Sequence, residues 1–274
     1  MGCPGRKLWL VVSLLAAFSA AWLQAATGVT ETTFENHRCL VVGKPGLPAD
    51  APVVFILHGF AANADDLLSL CRDLRVPPCL FVLPDAPLSL PGYPPGACAW
   101  YVFPRDDRNE ITASRDYLLR VMDHFLGGAA SPTGRAGKAK ARPAILLGFS
   151  EGGVMALEGG LHYPGKIAAL VCMSGYLPNP KATLTGTIAP LKTPILLLHG
   201  LADPTVPVER CMDAAAALDQ KGYRPYLKLF RMPHTITAES LAAASRFIRE
   251  VLEHRPLTGR RYAAPVDGMT ATRP

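Results

Sequence analysis

Apolar and polar residues follow one another along this chain in two distinct patterns. The first is a set of short runs rich in Val, Ile and Leu, several of them apolar at nearly every position. Such runs are typical of strands that are buried on both faces of a sheet. The predicted strands are residues 38–42, 53–57, 80–83, 144–147, 168–173, 195–198 and 226–230.

The second pattern places apolar residues three or four positions apart, as on one face of a helix. It is clearest over residues 238–252, where Thr237 is suited to the N-cap position. The predicted helices are residues 65–74, 111–126, 208–221 and 238–252. Strands that alternate with helices predict an α/β fold with a mainly parallel central sheet and helices on both faces.

The length and composition indicate one large domain. The chain has 274 residues, of which 49% are hydrophobic, so a sizeable core can be buried. We predict a signal peptide over residues 1–26, one domain over 27–254 and a disordered basic tail over 255–274. Residues 127–143 lack periodicity and are predicted to be a surface loop within the domain.

The charge of the chain is modest and is concentrated in segments outside the predicted elements. There are 28 Lys and Arg residues against 22 Asp and Glu residues, a net charge of +6. Many of the basic residues lie in the predicted loop and tail, where only Tyr262 is aromatic. A nucleic-acid surface combines basic and aromatic residues on one ordered face, so we expect no nucleic-acid partner.

The N-terminus has the pattern of an export signal. Arg6 and Lys7 precede an apolar run over residues 8–23, and the small residues Ala25 and Ala26 follow it. The run is short for a membrane span, which favours a cleavable signal peptide over a retained anchor. We therefore expect a secreted or periplasmic protein without a stable membrane span, and a membrane-anchored one if the signal is retained.

The cysteines are compatible with an oxidising compartment. Loss of Cys3 with the signal leaves six, which leaves room for one or two disulfides. Cys172 lies within a predicted buried strand, and we expect a packed free thiol there. The chain has no CxxC pair and no histidine pair with zinc-ligand spacing, so we predict no metal site.

The strongest chemical signal is the segment GFSEGG at residues 148–153. It follows a predicted strand and precedes a short helical run, which is the strand, turn and helix context in which a GxSxG motif exposes a nucleophilic serine. The small residues Gly148 and Gly152 are suited to the close backbone approach of that turn. We predict that Ser150 is a nucleophile, the alternative being a structural serine in a glycine-rich turn.

A nucleophilic serine requires a base and a group that orients the base, in the chain order Ser, Asp or Glu, then His. Asp203 follows the predicted strand 195–198, and His234 follows the predicted strand 226–230. The carboxyl ends of parallel strands meet at one edge of a sheet, so we expect both residues near Ser150. His199 is interpreted as a residue that orients a loop.

Acyl transfer also requires hydrogen-bond donors for the oxyanion. We predict the backbone amides of Glu151, after the nucleophile, and of Phe60, in the HGF segment that follows the strand 53–57. The alternative for His58 and Gly59 is an ordinary tight turn.

Five segments together carry a family resemblance: HGF at 58–60, AW at 99–100, GFSEGG at 148–153, HGLADPTVP at 199–207 and MPH at 232–234. From about residue 51 to 252 the chain resembles the phospholipase/carboxylesterase family of α/β-hydrolases, which includes acyl-protein thioesterases. The resemblance implies hydrolysis of small-molecule or lipid-like esters, thioesters or lysophospholipids without a cofactor. It gives Ser150, Asp203 and His234 the triad roles and places Trp100 beside the substrate groove.

Two features depart from the family pattern. Glu151 stands where the family usually has Gln, and its carboxylate is expected to disfavour anionic substrates. Export is the other departure, and it argues against a cytosolic palmitoyl-protein substrate. The sequence therefore predicts an exported serine esterase.

Two alternatives remain open. One is a secreted polymer depolymerase or feruloyl-type esterase, in which Trp100, Tyr101 and Tyr93 stack on an aromatic or sugar group. The other is a catalytically silent scaffold used for binding.

Overall fold

The computed structural model describes residues 28–127 and 142–263 of the chain. Eight of its strands form one sheet, in the spatial order β1-β2-β4-β3-β7-β8-β9-β10. These strands are β1 (Val29–Phe34), β2 (His37–Val42), β3 (Val53–Leu57), β4 (Leu80–Pro84), β7 (Ala144–Phe149), β8 (Ile167–Met173), β9 (Ile195–Gly200) and β10 (Tyr226–Phe230). The short strands β5 (Leu88–Ser89) and β6 (Cys98–Ala99) pair separately.

Most of the sheet is parallel. The pairs from β4 through β3, β7, β8 and β9 to β10 are all parallel, whereas β2 runs antiparallel to both β1 and β4. The carboxyl ends of the six parallel strands therefore meet at one edge, where sites collect in folds of this kind.

Helices cover both faces of the sheet. They are α1 (Leu70–Asp73), α2 (Arg108–Leu126), α3 (Glu151–His162), α4 (Pro180–Leu184), α5 (Val208–Lys221) and α6 (Ala238–Leu252). Successive residues of a strand point to opposite faces. Leu146 of β7 accordingly packs in one core with α2, α3 and α5, while Leu147 packs in the other with α1 and α6. The predicted α/β class with a mainly parallel sheet is confirmed.

One predicted helix was wrong, and the strands β1, β5 and β6 and the helix α4 were not predicted. The helix expected over 65–74 is a 3₁₀ helix, Ala64–Leu67, followed by the separate single turn α1. The first piece is stabilised by a capping box at Asn63, whereas Ser69 at the start of α1 makes no capping hydrogen bond. Strand β1 was missed because it is a sheet-edge strand with exposed Thr30 and Glu31, so it lacks the apolar run of a buried strand.

The tail predicted as disordered from residue 255 is ordered at its beginning. The Leu227 N–H donates to the Arg260 carbonyl at 3.1 Å, and the Tyr262 N–H donates to the Pro225 carbonyl at 2.8 Å. Strand β10 lies at the sheet edge, so no other strand of the described residues pairs with one side of its backbone. The beginning of the tail supplies hydrogen bonds on that side. The remainder of the tail, the predicted signal peptide and residues 128–141 of the predicted loop lie outside the described residues.

The cysteines after the signal are all free thiols in the described part of the chain. The one or two expected disulfides are therefore not formed, whereas Cys172 is buried without a partner as predicted. Over residues 28–127 and 142–263, no helix combines the length and apolar character that a membrane crossing requires.

Candidate active site

Ser150 occupies a sharp turn between β7 and α3. Its backbone angles are φ 58° and ψ −120°, which side-chain-bearing residues rarely adopt and which cost about 1–3 kcal/mol. The Ser150 N–H donates to the Met173 carbonyl of β8 at 2.8 Å, so the neighbouring strand holds the turn. This geometry lifts the serine hydroxyl above the carboxyl edge of the sheet, as in a nucleophile elbow.

The glycines on either side of Ser150 are required by close backbone packing. A Cβ on Gly148 would lie 1.9 Å from the Gly152 carbonyl oxygen, and a Cβ on Gly152 would lie 2.0 Å from the Leu57 carbonyl oxygen. No side chain fits at these separations. The two glycines of the GxSxG motif therefore allow α3 to pack directly against the backbones of β7 and β3.

The structure brings the three predicted triad residues into one hydrogen-bonded row. The Ser150 hydroxyl lies 2.9 Å from His234 Nε2, and His234 Nδ1 lies 2.7 Å from Asp203 Oδ2. The Asp203 side chain is fully buried, whereas the His234 side chain retains 16% of its exposure. In this row Nδ1–H donates to the carboxylate, which leaves Nε2 free to accept the serine proton.

Asp203 is held by the loop that follows it. Its Oδ1 accepts hydrogen bonds from the backbone N–H groups of Thr205, at 2.9 Å, and Val206, at 2.8 Å. These bonds satisfy one carboxylate oxygen and direct the other toward His234. The buried carboxylate therefore has three hydrogen-bond donors, which offset the cost of its burial.

His199 lies beneath this loop. Its Nε2–H donates to the Val206 carbonyl at 2.8 Å and lies 3.4 Å from Asp203 Oδ2. Burial lowers the pKa of His199, because the charged imidazolium is poorly solvated there. The neutral ring anchors the Asp203 loop, which agrees with its interpretation as a loop-orienting residue.

The segments that carry the two predicted oxyanion donors both adjoin Ser150. A Cβ on Gly59 would lie 3.3 Å from the Ser150 Cβ, so the HGF loop passes directly beside the nucleophile. Glu151 is the first residue of α3, where backbone N–H groups lack partners within the helix. The positive end of the α3 dipole points to the same place, which favours a developing anion there.

His58 secures the HGF loop from below. Its Nδ1–H donates to the Gly59 carbonyl at 2.8 Å, and its Nε2 accepts from the Ala86 N–H at 3.0 Å. Burial lowers the pKa of His58, which keeps the ring neutral.

His58 also approaches Asp85 and Cys98 closely enough that the three could share a metal ion, a cluster that the sequence spacing did not indicate. Each polar atom already has a protein partner, however. Asp85 Oδ1 accepts from the Ala64 N–H at 2.7 Å, and the Cys98 thiol donates to the Ala62 carbonyl at 3.3 Å. The cluster is explained by these hydrogen bonds and does not require an ion.

Trp100 does not border the substrate groove as the resemblance implied. It is completely buried, its Nε1–H donates to the His58 carbonyl at 3.0 Å, and its ring packs against Tyr117. Because the indole is buried and hydrogen-bonded to the HGF loop, it cannot stack on a substrate. Its neighbours Tyr101 and Phe103 line the cavity in its place.

A wall of the site depends on residues that the sequence did not single out. The Tyr176 hydroxyl donates to Asp106 at 2.6 Å, and the Arg210 guanidinium both pairs with Asp106 at 2.6 Å and stacks on the Tyr176 ring. Asp106 is separated from its two partners by 70 and 104 positions. No local pattern signals such contacts.

Ser150 and His234 open into a cavity of about 1300 Å³. It extends from the triad between the 3₁₀ helix and α1 on one side and α6 on the other. Its size suits a ligand considerably larger than a short-chain ester.

Comparisons with known proteins agree with this geometry. A family model described as phospholipase/carboxylesterase matches residues 37–252. The putative esterase NocK of Nocardia uniformis subsp. tsuyamanensis is 28% identical over 211 residues, which span 74% of this chain and 54% of that protein. Acyl-protein thioesterase 1 of Gibberella zeae is 26% identical over 71% of this chain and 85% of its own length.

Solved structures give the same picture. The crystal structure of esterase PE8 is 31% identical, covers 76% of this chain and 98% of its own, and superposes with a TM-score of 0.61. SOBER1 of Arabidopsis thaliana, at 18% identity, covers 73% of this chain and 99% of its own with a TM-score of 0.62, and shows the shared fold alone. With a family model spanning most of the folded domain, the chain belongs to the phospholipase/carboxylesterase family of α/β-hydrolases.

Proposed function

We propose that this protein hydrolyses carboxylic esters and thioesters through an acyl-enzyme on Ser150. The observation that carries the proposal is the row in which Asp203, His234 and Ser150 are joined by hydrogen bonds of 2.7 and 2.9 Å. The sequence relatives named as an esterase and as an acyl-protein thioesterase support the same two bond types.

The first half of the reaction forms the acyl-enzyme. As the Ser150 oxygen bonds to the substrate carbonyl carbon, His234 Nε2 accepts the serine proton and the carbonyl electrons move onto oxygen. The Phe60 and Glu151 N–H groups donate hydrogen bonds to that oxyanion. The tetrahedral intermediate then collapses, and His234 returns the proton to the departing alcohol or thiol.

The second half uses water in the same way. His234 removes a proton from water as its oxygen attacks the acyl carbon, and Ser150 leaves with that proton as the free acid is released. Asp203 holds the Nδ1–H tautomer and stabilises the imidazolium in both halves. The loop bonds from Thr205 and Val206 keep the carboxylate in place.

The decisive test is removal of the nucleophile. Ser150→Ala should lower kcat for p-nitrophenyl butyrate by several orders of magnitude and leave the circular dichroism spectrum unchanged. A fluorophosphonate probe should label the wild-type protein and not the variant. Full activity in the variant would contradict the mechanism, and an unlabelled wild type would favour the binding scaffold.

The substrate alternative is tested by comparing feruloyl and butyrate esters. Of the three aromatic residues suggested for stacking, Trp100 and Tyr93 lie outside the cavity, and Tyr101 lines it but has almost no exposed surface. These residues therefore offer a substrate little surface for stacking, and we expect the butyrate ester to be hydrolysed faster than the feruloyl ester.

We also propose that residues 1–26 direct export of the protein, because basic, apolar and small residues follow one another there in the order of a signal peptide. Mass spectrometry of protein from the periplasm or medium should show an N-terminus at residue 27. Cytoplasmic protein that retains Met1 would contradict this.

A further inference from the structure

The cavity at Ser150 continues as a groove along one face of α6. The lining positions of this helix are three or four residues apart: Ala238, Leu241, Ala242, Ser245, Arg246 and Arg249. Between the first and last of these the helix rises about 16 Å. The groove is therefore long enough for an extended chain whose reacting carbonyl lies at Ser150.

The opposite wall runs alongside this helix. Leu67 and Leu70 line it first, and Arg72 and Arg75 follow. The Arg75 N–H donates to Ser245 Oγ at 3.3 Å, which places Arg75 beside the third turn of α6. Arg75 therefore lies at the same end of the groove as Arg246 and Arg249.

The character of the groove changes along its length. Near the triad its lining is largely apolar, with Leu67 and Leu70 facing Ile236 and Leu241. Farther away it is cationic, with Arg75, Arg246 and Arg249 from the two walls. We call these three residues the arginine end. An uncharged chain would leave this end of the groove without a chemical partner.

Within the described part of the chain, no acidic side chain forms a close ion pair with the arginine end, although the Glu250 carboxylate lies near enough to Arg246 for the guanidinium to help lower the Glu250 pKa. Two acidic residues also line the groove, but Asp73 pairs with Arg72 at 3.1 Å and Asp66 accepts from the Asn63 N–H at 2.9 Å. Among residues 28–127 and 142–263, none of the three arginines of the arginine end forms an ion pair.

Building on the proposed esterase function, we infer that the arginine end binds an anionic group at the remote end of a chain-like ester substrate. A carboxylate or a phosphate meets this requirement, because the planar guanidinium donates paired hydrogen bonds to either. The apolar middle of the groove takes the hydrocarbon chain, and Ser150 attacks the ester at the other end. The activity of the enzyme would therefore depend on the distance between the ester and the anionic group of its substrate.

The test compares esters that differ only at the remote end. The p-nitrophenyl monoester of dodecanedioic acid carries a remote carboxylate, p-nitrophenyl laurate carries none, and p-nitrophenyl ω-phosphonooxydodecanoate carries a phosphate. The double variant Arg75→Gln/Arg246→Gln should have a kcat/KM for the carboxylate ester that is about tenfold lower, mainly because KM rises. Its kcat/KM for laurate should change less than about twofold. A larger loss on the phosphate ester than on the carboxylate ester would identify phosphate as the preferred anion.

Arg260→Gln is the matched control, because Arg260 is exposed and lies outside the groove. It should leave all three substrates unchanged. Added NaCl should lower the wild-type ratio of kcat/KM for the anionic esters to kcat/KM for laurate, because salt screens the charges of the arginines.

The results separate this inference from the esterase proposal. Equal losses on laurate and the anionic esters, or no loss on either anionic ester, would overturn the anion site while leaving esterase activity intact. If the wild-type protein hydrolyses p-nitrophenyl butyrate but none of these three esters, the anion site is overturned; if it hydrolyses none of the four, the proposed function itself is overturned. Activity on laurate also reports that the double variant is folded.

Discussion

The Glu151 carboxyl group accepts a hydrogen bond from the Trp100 backbone N–H at 2.9 Å, which ties the residue after the nucleophile to the loop before α2. The same carboxyl is almost completely buried, and burial raises its pKa to about 8. At neutral pH it is therefore largely protonated, so it serves as an uncharged acceptor much as a glutamine amide would. The expected repulsion of anions by a Glu151 carboxylate does not apply at that pH.

Glu151→Gln should change the pH dependence of activity. In the wild type, ionisation above pH 8 places a negative charge beside the proposed oxyanion donors, so kcat should decline on the alkaline side. The variant keeps the neutral acceptor and should lack this decline. Rates of p-nitrophenyl butyrate hydrolysis from pH 6 to about 9.5, corrected for the background reaction, measure the difference. Identical alkaline limbs would show that Glu151 does not affect the oxyanion.

The same substitution should alter stability in a defined pH window. An ordinary glutamate loses its proton near pH 4.5, whereas folded Glu151 keeps it until about pH 8. Between these values the folded state binds more protons than the unfolded state, so the free energy of unfolding falls as pH rises. Urea unfolding at pH 5 and pH 8 should show a smaller fall in Glu151→Gln than in the wild type.

Asp203→Asn should lower kcat by about 10³- to 10⁴-fold with little effect on the fold. The amide oxygen can still accept from Thr205 and Val206, but the amide nitrogen then faces His234 Nδ1 and favours the wrong imidazole tautomer. Asp213→Asn, at an exposed position of α5, is the control and should leave kcat unchanged. A loss of less than tenfold in Asp203→Asn would remove Asp203 from the proposed mechanism.

Gly152→Ala should be among the most destabilising single changes in the protein. Its methyl group would lie 2.0 Å from the Leu57 carbonyl oxygen, which forces α3 away from β3 and should cost about 4 kcal/mol or more. Gly186→Ala is the control, because no atom lies within 4 Å of its added Cβ and only its positive φ is penalised, by about 1–2 kcal/mol. Thermal unfolding should rank the two variants in that order, and the reverse order would contradict the packing argument.

Much of the fold was predictable because its signals are local. The buried parallel strands are apolar at successive positions, and α6 carries its apolar face with the helical period, so neighbouring residues alone reveal both. The 3₁₀ helix and α1 were merged into one prediction because their apolar spacing continues across the break. The resemblance to the phospholipase/carboxylesterase family, drawn from five short segments, is confirmed by the family match over residues 37–252.

The positions of Ser150, Asp203 and His234 were predictable for a topological reason. Each follows an apolar strand, and the ends of parallel strands share one edge of a sheet. The role of Trp100 could not be inferred in this way, since a tryptophan near a site can face the ligand or the interior. Its complete burial under the HGF loop is a property of how that loop packs on the sheet.

By itself, the sequence determined the α/β class, the elbow around Ser150 and the order of the three residues that meet there. These features depend on residue spacing and on backbone conformations that few residues allow. Only the tertiary structure decided that Glu151 is buried, that Tyr176 meets Asp106 and Arg210, and that arginines from α6 and the segment after α1 face one groove. Those contacts join distant parts of the chain, and their geometry exists only after the helices have packed on the sheet.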